Sequence, residues 1–162
     1  MNFLFCAEAR IRTYADYNLS GSEKMLYVAS LMLYWAEGAK AQHGIVDFAN
    51  CNTRIVYLFL SVLRQIYQVK EDRIRVLLYC YANQNSDKII DFWSKLTKIS
   101  RSQFTKPYVR KDFREEKEGK MKYGMVHIRY SDKKLLSQIM SWIQRFQKRY
   151  CVGTQVVNED WL

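Results

Sequence analysis

From Met25 to Ala36 eleven of twelve residues are apolar, Ser30 being the exception. A membrane-spanning helix needs about 20 such residues, so this stretch reads as a buried helix. An ordinary surface helix carries a single apolar stripe. A helix apolar on nearly every side needs a partner for each of two faces. The chain's own core supplies one. With no internal repeat to offer another such helix, the second face points to a second copy of the chain. Ahead of it, Ser20 or Ser22 can cap the helix, and Gly38 is placed to end it.

Beyond Gly38, Ile45-Val46-Asp47-Phe48-Ala49 reads as a short strand, and Asn50 to Asn52 supplies turn or cap chemistry. A helix beginning near Thr53 buries Ile55, Phe59, Val62 and Ile66, with Leu58 and Leu63 widening the stripe. Arg73 to Tyr81 alternates: Ile74, Val76, Leu78 and Cys80 share one face, and Arg73, Arg75, Leu77, Tyr79 and Tyr81 the other. Asn85 or Ser86 opens a helix carrying Ile89, Phe92, Trp93 and Leu96, and Pro107 interrupts structure beyond it. Arg110 to Lys122 reads as a charged loop. Tyr123 to Ser131 alternates again, and a last helix from Lys133 buries Leu136, Ile139, Ile143 and Phe146. The order helix, strand, helix, strand, helix, loop, strand, helix predicts an α+β domain with an antiparallel or mixed sheet covered by helices on one face. Residues 23–150 form this domain; residues 1–22 read as an extension, the remnant of a longer N-terminal region, and 151–162 as a tail.

The net charge of +10 favours a phosphate backbone or an anionic surface over an acidic partner. Residues 98–134 hold twelve Lys or Arg against five Asp or Glu, which accounts for seven of those ten charges. The faces bearing Arg73, Arg75, Tyr79 and Tyr81, and Tyr123, His127 and Arg129, suit duplex binding, with cations on phosphates and polar groups at base edges. A solvated sheet face is the plain alternative. The six glycines are scattered, so no nucleotide-binding loop is present. Two isolated histidines and no GxSxG context argue against nucleophilic hydrolysis. The four cysteines lack a CxxC pair, and Cys51 and Cys80 beside apolar runs read as buried thiols of a cytoplasmic protein. The opening MNFLFCAEARIR lacks the features of a signal peptide.

Glu37 stands at the C-terminal end of the apolar helix, where the macrodipole disfavours an anion by roughly 0.3–1 kcal/mol. An acid there calls for a cation. Lys40 is one choice; a divalent metal shared with a substrate phosphate is the other.

Ala29-Ser30-Leu31-Met32-Leu33-Tyr34-Trp35-Ala36-Glu37-Gly38 resembles the LAGLIDADG helix, with Ala36, Glu37 and Gly38 matching its last three letters. The segments VDFANCNTRIVYLFLSVLRQIY, RIRVLLYCYA and MVHIRYSDKKLLSQIMSWIQRF look like that fold's strands and covering helices, so the resemblance spans about residues 23–148. It implies a DNA-binding protein of homing-endonuclease type that works as a homodimer through the Met25 to Ala36 helix. Glu37 would be both the catalytic and the metal carboxylate, with magnesium as cofactor, and Lys40 and Gln42 the nearby polar groups on DNA. Leu31 and Met32 depart from the small residues the family places for close helix packing. The stretch from Gly38 to Thr53 is short for a pair of recognition strands. A shortened relative of this kind is alternatively a non-catalytic transcriptional regulator or interaction domain.

Overall fold

The computed structural model describes residues 20–40, 44–111 and 121–151. The element order is α1 (Gly21–Glu37), β1 (Ile45–Asn50), α2 (Thr53–Gln65), β2 (Arg75–Tyr81), α3 (Ser86–Thr97), β3 (Tyr108–Arg110), β4 (Met125–Ser131) and α4 (Lys133–Tyr150). The fold is α+β, and the sheet is mixed, in the order β1-β4-β2-β3. β1, β2 and β3 run in one direction; β4 lies antiparallel between β1 and β2, and β3 is parallel to β2. Parallel neighbours need a long crossover, which α3 supplies between β2 and β3.

Each helix starts on a side chain that meets its orphan N–H groups. Ser20 and Glu23 form a reciprocal capping box on α1, Asn52 caps α2, Asn85 caps α3 and Asp132 caps α4. The helices pack on one side of the sheet because every second strand residue is apolar. Val46 and Phe48 of β1, Val76, Leu78 and Cys80 of β2, and Val126 and Ile128 of β4 are all buried there. Phe59 of α2 stacks on Phe48 at 4.1 Å between ring centroids and also faces Tyr34 of α1.

Within this layer α1 buries Tyr27, Ser30, Leu31 and Tyr34, one stripe at helical spacing. The outward stripe remains apolar: Met25 is 75% and Val28 44% exposed. Leu26, Met32, Leu33 and Trp35 are partly buried against the core as well, so the exposed large apolar side chains of α1 are Met25 and Val28.

Five expectations need correction. Tyr123 lies in a turn ahead of β4 with its ring stacked on Phe92 of α3, packed against the core and not on the opposite face. Leu58 lies at the exposed side of α2, while Val56 and Leu60 are buried. Cys80 is buried, but Cys51 is exposed in the bend between β1 and α2, outside the core. A strand missing from the sequence reading, β3, borders the sheet. Arg73 is not in β2: Glu71–Arg73 form a 3-10 turn, held by Gln103 Nε2, which donates to the carbonyls of Glu71 and Ile74. Among the described residues no helix is long and apolar enough to cross a membrane.

Candidate nucleic-acid interface

The alternation that buries one side of each strand places the intervening residues on the side away from the helices. Strand register then brings them into rows. Asp47, Arg129 and Arg75 face one another across β1, β4 and β2; Ala49, His127 and Leu77 form the next row; Met125, Tyr79 and Tyr108 form the row beyond, reaching β3.

Asp47 organises the first two rows. Arg129 Nε donates to Asp47 Oδ2 at 2.8 Å, and His127 Nδ1 lies 2.8 Å from Asp47 Oδ1. Burial is the largest influence on the Asp47 carboxyl and pushes it up, but the bonds and charges of His127 and Arg129 together outweigh it and hold the group below its ordinary value. An ionised carboxylate only accepts, so His127 Nδ1 carries the hydrogen and donates. His127 Nε2 is shielded from solvent with no hydrogen-bond partner. Among the described residues no hydroxyl or thiol bonds to Nε2, so they place no nucleophile on the Asp47–His127 pair.

Two rings extend this face. The Tyr79 ring lies 4.6 Å from the imidazole of His127 and 4.9 Å from the ring of Tyr108, centroid to centroid. Tyr79 and His127 are half-buried by their neighbours, and Tyr108 is 57% exposed. Gly124 permits the arrangement: a Cβ there would stand 2.6 Å from the Tyr79 carbonyl oxygen, and its φ of +63° favours glycine.

Of the cations expected here, Arg75 and Arg129 are on this face. Arg75 Nη1 donates to the carbonyls of Asp72 and Ile74 while the side chain stays exposed. Arg73 is turned away, bonded to the Ser131 carbonyl with its guanidinium over the Tyr130 ring on the helix-covered side. Tyr81 is buried, contrary to expectation: its amide donates to Gln84 Oε1, the Gln84 amide returns to its carbonyl, and Arg110 lies over its ring. Gln42 lies outside the described residues.

Glu37 is at the β1 edge of the sheet. Immediately after it, Gly38 bridges Phe48 and the Ala39 amide donates to the Asp47 carbonyl, so the chain leaving α1 forms the stub of a further antiparallel strand. Tyr34 fixes this junction: its hydroxyl donates to the Ala39 carbonyl and accepts from the Asp47 amide. Its phenol is pushed up to about 12, chiefly by burial, with the Asp47 charge adding and the Asp47 amide opposing. Gly38 has an ordinary negative φ, so its need for glycine is spatial: a Cβ would meet the Tyr34 ring at 2.6 Å. Glu37 itself is exposed. Lys40 Nζ reaches the Ala36 carbonyl at 3.5 Å, a cation set against the helix C-terminus. Among the described residues no three of Asp, Glu, His and Cys gather where a metal ion could be held.

Asp47 and Tyr108 escaped the sequence reading as site residues. The signal for Asp47 was its place between Val46 and Phe48, which alternation assigns to the face opposite the core. For Tyr108 only the exposed cations around it gave a hint.

Comparison with protein-family models, with curated proteins and with solved structures gives no match.

Proposed function

We propose that the open face of the sheet binds duplex DNA, as a LAGLIDADG-type domain acting as a homodimer through α1. The observation that carries this reading is a face that no described element covers, where strand register lines up Arg75, Arg129, His127, Tyr79 and Tyr108 on a chain of charge +10. The guanidinium groups suit phosphate oxygens and the rings and imidazole suit base edges or sugar. The exposed apolar stripe of α1 supports pairing of two chains, and a cytoplasmic location follows from the DNA partner.

In this reading Glu37 of each chain would supply one carboxylate of a magnesium site shared with a DNA phosphate. Among the described residues of one chain no group of three or more metal-ligating side chains includes Glu37, so in this reading the second carboxylate comes from the partner chain. Magnesium held between two such carboxylates would supply charge neutralisation for phosphodiester hydrolysis. The isolation of Glu37 equally favours a second reading, a regulator that binds DNA without cutting it.

Incubation of a randomised duplex library with magnesium, comparing wild type with Glu37→Gln, separates the two. Cutting by wild type and none by the variant supports the nuclease. Equal cutting by both removes Glu37 from the chemistry, and salt-sensitive binding without cutting supports the regulator. Absence of duplex binding at low salt overturns the DNA reading.

A further inference from the structure

The β3 edge has a composition unlike the rest of the open face. From residue 98 to residue 111 the sequence carries five Lys or Arg and no Asp or Glu. Arg101 is committed to Asp87 and Asp91 of α3, and Arg110 lies over Tyr81. Lys106 and Lys111 remain exposed, on either side of the exposed Tyr108 in sequence. Lys106, two residues before Tyr108, falls on the same side of the extended chain as its ring, and Lys111 lies in the bend just beyond β3. Between them the Tyr108 ring begins a row that continues inward through Tyr79 to His127, across three adjacent strands.

A cationic edge serves any phosphate backbone, but an exposed ring backed by further rings is a different device. Bases in a duplex have their faces covered by stacking on one another, so a protein ring at a sheet edge has no base face to meet. An unpaired base has two free faces, and stacking on an aromatic side chain is tolerant of sequence.

We infer that the β3 edge is a binding site for unpaired nucleotides, with Tyr108 as the first stacking platform and Lys106 beside it holding a flanking phosphate. This deepens the nucleic-acid reading of the sheet face and rests on it. DNA carrying a single-stranded tail or an opened segment is then a better ligand than a perfect duplex of the same length.

The test uses the full chain and fluorescence anisotropy with two labelled probes, a blunt duplex and the same duplex with a short single-stranded tail. For wild type and Tyr108→Phe the tail tightens binding about tenfold beyond the blunt duplex. For Tyr108→Ala the ratio of tailed-duplex to blunt-duplex affinity falls to about one, whatever the variant's affinity for the blunt duplex; Tyr108 is exposed, and circular dichroism checks that the variant stays folded. A 2-aminopurine in the tail loses fluorescence on binding to wild type and not to Tyr108→Ala. A tail that adds nothing, or a gain that survives in Tyr108→Ala, overturns the inference and leaves duplex binding standing. Failure of wild type to bind either probe at low salt overturns the nucleic-acid reading as a whole.

Discussion

The two faces of the sheet are made from the same strands, alternating residue by residue, yet they are built for different ends. On the helix-covered face Val46, Phe48, Leu78, Val126 and Ile128 have no exposed surface. On the other, Arg129 and His127 each bond to Asp47, and the Tyr79 and Tyr108 rings continue the layer to the edge. The difference teaches where each kind of substitution acts. Changes on the first face are felt as stability, because packing cannot relax around a lost side chain. On the second they are felt mainly as charge, because the groups there are polar and partly wet.

The largest effect belongs to the covered face. Phe48→Ala removes a ring stacked on Phe59 and costs about 3–5 kcal/mol of unfolding free energy, measured by chemical denaturation. A loss below about 1 kcal/mol would break the contrast between the faces. Next is the junction that joins them: Gly38→Ala sets a methyl group against the buried Tyr34 ring and costs about 1–3 kcal/mol. Glu37→Gln, one residue earlier and exposed, leaves stability unchanged.

Asp47 sharpens the comparison because it belongs to the open face and still contributes stability. Its carboxyl is held below the ordinary value in the folded chain. That contribution is therefore fully present above the unfolded-state value near 3.8 and is lost as pH falls through the lower folded value. Asp47→Asn is expected to cost about 1 kcal/mol at neutral pH, with a gap to wild type that narrows in acid below pH 3.8, read from denaturation at several pH values. The same variant binds duplex DNA a few-fold more tightly at low salt, since one negative charge leaves the face. Weaker binding would contradict the placement of Asp47 on the binding surface.

The smallest effect is on Arg75. Arg75→Ala leaves stability nearly unchanged and lowers the slope of log affinity against log salt by about 0.9, the signature of one lost phosphate contact. An unchanged slope would remove Arg75 from the interface.

Much of this was legible in the sequence, for identifiable physical reasons. The four helices carry apolar stripes or caps written in neighbouring residues, and two strands alternate cleanly, so the one-sided layer and the positions of Arg75, Tyr79, His127 and Arg129 followed from period alone. What was hidden depends on contacts distant in sequence. Arg73 continues the alternation of β2, yet Gln103, thirty residues on, holds the preceding turn and takes Arg73 out of the strand. Tyr81 falls on the open face by count but is closed over by Gln84 and Arg110. β3 is three residues long and pairs only with β2, so its residues show too little alternation to announce a strand. Most of the apolar residues of α1 pack within the fold, against α2, α4 and β1, and Met25 and Val28 are left exposed.

The central claim is that DNA meets the open face and not the helices, and two exposed tyrosines report on it within one molecule. Tyr108 is 57% exposed at the open-face edge, and Tyr57 is 53% exposed on the outer side of α2. Tyrosine modification by iodination or nitration, read by peptide mass spectrometry with and without duplex DNA at low salt, compares them directly. The account predicts that DNA protects Tyr108 and leaves Tyr57 as reactive as in the free protein. Protection of Tyr57 with Tyr108 unaffected would contradict it.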